Sequence, residues 1–318
     1  MSVRPQAHAA PLDAGGVGRL RAVLKAGLAL RADPPDAASA PPEGPLVTPE
    51  KVERYKTQIK QMLTDPPLKM KDLDSADAPS RHYDLDDTCK SSVYLFRGVF
   101  GGVDPEQYNL LEDELVNAEE QKSQYNPNLN LRKKELTYGG PYKFGKRIPQ
   151  SVPLAQHNTW PVVVKDALAF AKAFVAVTRT PAEAQRLASL YDGVHCNYYK
   201  DDQTSLDYHA DDEDAMEAGA PIVSVTLIDP NPESTKKPRF FDIVAYDHKK
   251  GDDPLARLTL KHGDVLVMDG AMQCNYKHGV PPMKRPRGQV RVAGRINLTA
   301  RAFGFAKKKA AQPGPSQP

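Results

Sequence analysis

From Tyr191 onward the chain is a succession of short β-rich runs, VHCNYY, PIVSVTLI, RFFDIVAY, ARLTL, GDVLVMD and RVAGRINLTAR, separated by polar or Gly/Pro-containing turns. Runs of this length, rich in Val, Ile, Thr and aromatic residues, predict an all-β sandwich or jelly roll. Upstream the texture differs. SSVYLFRGVF reads as an opening strand, and helical spacing follows. In DPEQYNLLEDELVNAEE, Asp104 caps, Pro105 sits in the first turn, and Tyr108, Leu111, Leu115 and Ala118 share one stripe. A second helix runs through WPVVVKDALAFAKAFVAV and a shorter one starts at Pro181. Helices grouped ahead of a β-rich half are an α+β arrangement.

The 318 residues, 40% of them hydrophobic, allow one large domain with an appendage. Residues 1–80 read as a low-complexity, largely disordered extension. The stretch DPPDAASAPPEGPLVTP holds one Leu and one Val, too little apolar surface to offset the entropy of ordering. Before it, Leu20, Val23, Leu24 and Leu28 fall at helical spacing among Arg19, Arg21, Lys25 and Arg31. That pattern suits either a weakly helical tail or part of an organelle transit peptide, Asp13 being the only acid before Asp33. A further helix is expected from Pro49, capped by Thr48, with Val52, Tyr55, Ile59, Met62 and Leu63 on one stripe, either packing on the domain or meeting a partner. The folded domain is expected at residues 81–305, followed by a basic flexible tail at 306–318.

Three separated cysteines with no CxxC pair exclude a disulfide scaffold and argue for a reducing, nuclear or cytoplasmic compartment. No apolar run approaches the roughly 20 residues a membrane span needs, so a soluble monomer is expected. The 43 Lys+Arg nearly balance 40 Asp+Glu, which leaves nucleic-acid binding open because placement of charge decides it.

His209-Ala210-Asp211 carries the chemistry. In an extended segment side chains two apart point to the same side, so both reach one ion. A two-histidine, one-carboxylate iron site needs that pair plus a distant histidine, leaving coordination positions open. His262-Gly263-Asp264 is a second such pair, and its place before GDVLVMD suits a turn. In RINLTAR, Arg295, Asn297, Thr299 and Arg301 alternate with Ile296, Leu298 and Ala300. A strand facing water would alternate too, but a buried face with two arginines and no acid needs an anion, and a dicarboxylate fits. Cys274, four residues before His278, is a poorer ligand for oxygen chemistry than a carboxylate.

The segments Asn197-Tyr198-Tyr199-Lys200-Asp201, His209-x-Asp211-Asp212-Glu213, PIVSVTL, GDVLVM, His278-Gly279-Val280-Pro281 and Arg295-Ile296-Asn297-Leu298-Thr299-x-Arg301 together resemble the AlkB-like dioxygenases, in order and approximate spacing, over about residues 90–303. The chain looks most like their DNA-repair branch. The resemblance implies a double-stranded β-helix (jelly-roll) core with flanking helices, Fe(II), 2-oxoglutarate and O2 as cofactors, and nucleic acid carrying an alkylated base as partner, DNA or RNA. It implies His209, Asp211 and His278 as iron ligands, so that the His262 pair falls on a turn. Arg295 matches the arginine on the distal carboxylate of 2-oxoglutarate and Arg301 the one near its metal-binding end, while Asn197, Tyr199, Asn297 and Thr299 complete the cosubstrate set. Glu213 matches an acidic residue near the target base. Tyr138-Gly139-Gly140-Pro141-Tyr142-Lys143-Phe144 resembles the nucleotide-recognition lid, implying Tyr138 and Tyr142 in the pocket and Phe144 stacked on an extruded base. Two departures leave the substrate open. Arg132, Lys133 and Lys134 replace the family's proline-arginine pair, and DPNPESTKKPR replaces its usual connection.

Six basic residues against Glu135 between Arg132 and Arg147, and four between Lys284 and Arg291, suit a phosphate backbone as well as they suit solvated loops. The expected activity is oxidative demethylation of bases of the 1-methyladenine and 3-methylcytosine type, with formaldehyde, succinate and CO2 as products. Two alternatives stand beside it: the same chemistry on a protein or other substrate, and a jelly-roll binding module without turnover.

Overall fold

The computed structural model describes residues 47–73, 78–122, 128, 131–140, 142–143, 148–213, 216–230, 239–249, 251–283 and 294–303. The N-terminal helix expected around Leu20–Leu28, the 306–318 tail and Phe144 lie outside them.

Helix α1 (Pro49–Thr64) starts as its sequence dictates: Pro49 occupies the first turn and the Thr48 hydroxyl accepts from the Lys51 amide at 3.3 Å. Its stripe of Tyr55, Ile59 and Met62 is buried, whereas Leu63 at the edge is exposed. β1 (Leu68–Lys69), α2 (Met70–Leu73), β2 (Arg81–Asp84) and β3 (Ser91–Phe96) follow, then α3 (Pro105–Asn117) with Tyr108, Leu111 and Leu115 inward. The packed fold thus begins at α1, ahead of the boundary at residue 81 that low complexity suggested, because the helical stripe has a core to join. β4 (Lys134–Gly139), β5 (Ser151–Pro153), α4 (Val162–Thr178) and α5 (Pro181–Ala188) complete the first half.

The second half is β6 (Gly193–Tyr199), β7 (Leu206–His209), β8 (Ile222–Ile228), β9 (Arg239–Ala245), β10 (Ala256–Leu260), β11 (Val265–Gly270), the short helix α6 (Met272–Asn275), β12 (Tyr276–Val280) and β13 (Arg295–Arg301). Two sheets result. One has the order β1-β2-β3-β11-β8-β13-β6-β4-β5 and the other β10-β9-β12-β7. This is an α+β fold on a double-stranded β-helix. Helices α1, α3 and α4 pack on one side of the larger sheet through a core that includes Tyr55, Phe100, Phe170, Val225 and Leu298. The smaller sheet covers the other side, packing Phe241, Ile243 and Leu258 in a core with Leu266 of β11. Strands buried on both sides need not alternate apolar with polar, yet β8 and β13 do. Their polar side chains line a cavity between the sheets.

Candidate active site

β7 ends at His209, and its antiparallel partner β12 sets His278 directly opposite. The two rings lie 4.5 Å apart between centroids. Two residues past His209, Asp211 is buried beneath them, 3.5 Å from His209 Nε2 and 3.8 Å from His278 Nε2. The three ligand atoms fall within 4.8 Å of one another. His209 Nδ1 sits 2.8 Å from the Asp207 carbonyl, which can only accept, so the proton is on Nδ1 and Nε2 presents its lone pair. Burial, with the neighbouring His209, pushes His278 down to about 3 and keeps it neutral. Burial works to raise the Asp211 carboxyl, but the Arg301 guanidinium and the two histidines overturn that and hold it well below the carboxylate range. Arg301 grips both Asp211 oxygens, from Nη2 at 2.9 and 2.8 Å and from Nε at 3.1 Å. Two imidazoles and one ionised carboxylate suit Fe(II).

The cavity beside this triad takes its polar wall from β6 and β13, paired with Arg295 opposite Tyr199 and Asn297 opposite Asn197. Arg295 is buried, donates to Thr226 Oγ1 at 3.0 Å and lies over the Tyr199 ring at 5.2 Å. Its Nε and Nη1 have no partner among the described residues. Burial pushes its guanidinium down to about 10, a cation short of an anion. A carboxylate supplies that anion with matching geometry, so the wall fits a dicarboxylate cosubstrate. Thr299 donates to Asn297 Oδ1 at 2.9 Å, and Asn297 Nδ2 donates to Ser224 Oγ at 2.7 Å and the Val225 carbonyl at 3.1 Å.

Against Arg301, Tyr142 is fully buried, with its ring 5.6 Å from that guanidinium and 4.9 Å from Phe303. Glu213 stands near Tyr142, its carboxyl raised by burial and by the charge of Asp211. Tyr138 is not brought to the site. It sits on the helix side of β4, donating to Glu114 and packing 5.6 Å from Trp160, because Thr137 and Glu135 take the cavity side of that strand. The implied pocket role of Tyr138 is corrected to a core role. The basic cluster also thins. Lys133 is buried, and Lys134 donates to the Ala118 carbonyl at 2.9 Å. The four basic residues from Lys284 to Arg291 lie outside the described residues. The pair at His262 is a turn: Gly263 has φ 80° with its Cα against Gly101, and Asp264 accepts from Gly98 N at 3.0 Å and Lys261 N at 2.8 Å. Cys274 is an exposed free thiol outside the triad.

Three contributors carried no sequence signal. Gln273 Oε1 accepts from the Asp211 amide at 2.9 Å, tying the ligand segment to the turn before β12. Phe241 stacks on His278 at 5.4 Å and 17°. Arg239 is buried beneath Tyr199 and donates to the carbonyls of Asp201 and Thr204, both at 2.6 Å. Each works through a contact distant in sequence; for Phe241, only the alternation of β9 could have pointed to it.

A jelly roll that converges two histidines and a carboxylate on one point, backed by buried arginines, has the architecture of a non-haem iron oxygenase. Residues 106–301 match the family model described as the 2OG-Fe(II) oxygenase superfamily, and the chain belongs to that superfamily, which uses Fe(II), 2-oxoglutarate and O2. Within it the chain is similar to proteins of the AlkB group over part of its length. It is 30% identical to alpha-ketoglutarate-dependent dioxygenase alkB homolog 3 of Rattus norvegicus over 35% of this chain and 35% of that protein. It is 38% identical to alpha-ketoglutarate-dependent dioxygenase AlkB of Escherichia coli (strain K12) over 29% of this chain and 38% of the relative. It is 30% identical to DNA oxidative demethylase ALKBH2 of Homo sapiens over 35% of this chain and 40% of the relative. The matches thus span well under half the length of each of these relatives. Among the described residues, no helix is long and apolar enough to cross a membrane.

Proposed function

We propose that this chain is an oxidative demethylase of N-alkylated bases in nucleic acid, with His209, Asp211 and His278 holding Fe(II) and with Arg295, Asn197, Tyr199, Asn297, Thr299 and Arg301 surrounding 2-oxoglutarate. Bound iron and 2-oxoglutarate supply the oxygen chemistry by which an N-methyl carbon is hydroxylated and leaves as formaldehyde, with succinate and CO2 formed alongside. The chain's own residues do the positioning. The Asp207 carbonyl fixes the His209 tautomer, Arg301 keeps Asp211 ionised, and Arg295 offers a planar fork to a carboxylate.

The observation that carries the substrate reading is the Tyr142–Glu213 pair beside the triad, in a chain one of whose relatives is named a DNA oxidative demethylase. An aromatic ring beside a carboxylate, next to buried Asp211, favours a flat base bearing positive charge, and 1-methyladenine and 3-methylcytosine are such bases. The test is incubation of the iron-loaded protein with methylated DNA and RNA oligonucleotides, read by mass spectrometry. The expected product signature is loss of the mass of one CH2 per base, as N-methyl is replaced by N–H. Succinate production without demethylation of either base in DNA or RNA would end the nucleic-acid reading and leave the oxygenase intact.

A further inference from the structure

We propose that Lys133 is a positioning residue for the cosubstrate, acting by fixing which end of the Asn197 amide faces the cavity. This rests on the reading that the cavity holds 2-oxoglutarate. Lys133, the residue just before β4, and Glu135 on β4 stand two apart in extended chain beside β6, so their side chains share a side. Both are buried, at 6% and 1% exposure, and they form an ion pair. The Lys133 ammonium also donates to Asn197 Oδ1 at 2.8 Å. A lysine has donors only, so the amide atom facing it must be the carbonyl oxygen. The Asn197 NH2 group is thereby left for the cavity, whose wall includes Asn197 and Arg295.

The neighbouring amide shows why this matters. Asn297, opposite Asn197 in the β6–β13 ladder, spends both its Nδ2 donors on Ser224 and Val225 and its oxygen on Thr299. Among the described residues Asn197 is bonded through its Oδ1, and its Nδ2 is the amide donor that faces an anionic ligand. Without Lys133 the Asn197 side chain can flip and turn an acceptor towards a dicarboxylate. Glu135 holds the ammonium in place and neutralises it, so that the lysine acts on the amide rather than on the ligand. A residue that charge counting assigns to phosphate therefore serves the opposite side of the strand.

The experiment measures 2-oxoglutarate binding to the Mn(II)-loaded full chain by calorimetry, alongside Mn(II) affinity, uncoupled turnover and oligonucleotide binding across salt. Lys133→Met alone strands a buried carboxylate and risks unfolding, so it is made together with Glu135→Met, which removes the pair as a unit. The expected result is about tenfold weaker 2-oxoglutarate binding, the scale of one hydrogen bond to a charged group. Mn(II) affinity and the oligonucleotide salt dependence stay at wild-type values, and uncoupled turnover recovers at saturating 2-oxoglutarate. In an Asn197→Ala background the same double change has no further effect, because the route through Asn197 is already gone. Lys133→Arg, which keeps a donor, restores binding. Unchanged 2-oxoglutarate affinity, or an equal loss in the Asn197→Ala background, overturns the proposal. So does lost oligonucleotide affinity with a shallower salt slope and normal 2-oxoglutarate binding, since Lys133 would then be a phosphate contact. A wild-type protein that binds no 2-oxoglutarate instead overturns the cosubstrate reading on which the proposal rests.

Discussion

On the helix side of the nine-stranded sheet, β8 and β13 present Val223, Val225, Leu227, Ile296, Leu298 and Ala300, packed against α1, α3 and α4. On the other side the same two strands present Ser224, Thr226, Arg295, Asn297, Thr299 and Arg301. The first side is filled by apolar side chains. Its aromatic rings interlock, with Phe170 5.2 Å from Tyr55 and 5.3 Å from Phe96, both edge to face. Among the described residues, the second side keeps polar atoms without partners, among them Arg295 Nε and Nη1 and Arg301 Nη1, as does His278 Nδ1 facing it from β12. A buried donor left unmade costs free energy that an apolar neighbour cannot return. One residue of strand parity thus separates positions that hold the fold from positions that await ligands.

Four measurements bear on that division, and the largest effect is expected on the polar side. His278→Ala should abolish iron-dependent succinate production while thermal unfolding of the metal-free protein shifts far less than for a core change. His262→Ala should keep full activity, and an active His278→Ala would place the metal elsewhere. Next comes Phe170→Ala, which should remove about 3–5 kcal/mol of stability in denaturant titration, leaving 2-oxoglutarate affinity unaltered in the surviving folded protein. A changed affinity there would mean the two sides are coupled. Arg295→Lys should weaken 2-oxoglutarate by roughly 2–5 kcal/mol without lowering stability, because a planar fork is exchanged for a point charge. The smallest effect concerns pH. Burial lowers His195 to about 3, against an ordinary imidazole value of about 6.5. Between those values the unfolded chain binds a proton that the folded one refuses. Stability should therefore hold above the upper value and decline as pH falls towards the lower, by up to about 1.4 kcal/mol per pH unit for that group. His195→Gln should flatten the decline, and an unchanged slope would show that the imidazole is not held neutral.

Period-two patterns made much of this legible in the sequence. The pair at His209 and Asp211 and the alternation of Arg295 to Arg301 both lie in the chain as the structure has them. The helix stripe at Tyr55, Ile59 and Met62 was visible too, although the Ala/Pro-rich residues before it masked its membership of the core. What the pattern lacks is phase. Alternation along Lys134–Gly139 does not say which side of β4 meets the cavity, and Tyr138 went to the helices on that account. Burial of Lys133 is equally silent, since a lysine beside an arginine and another lysine reads as solvated until Glu135 and Asn197 are seen around it. Gln273 and Arg239 act through main-chain amides and carbonyls far away in sequence, which no local motif encodes.

The docking of α1 has a practical side for producing the protein. Composition invites trimming at residue 80, yet that cut would delete Tyr55, Ile59 and Met62 together with Lys51, the ion-pair partner of buried Asp166. Phe100, which stacks on Tyr55, and Phe170, which meets it edge to face, would face water, and an apolar patch of that kind drives self-association. An expression boundary placed before Thr48 keeps the helix with its cap, and with it a chain that stays dispersed.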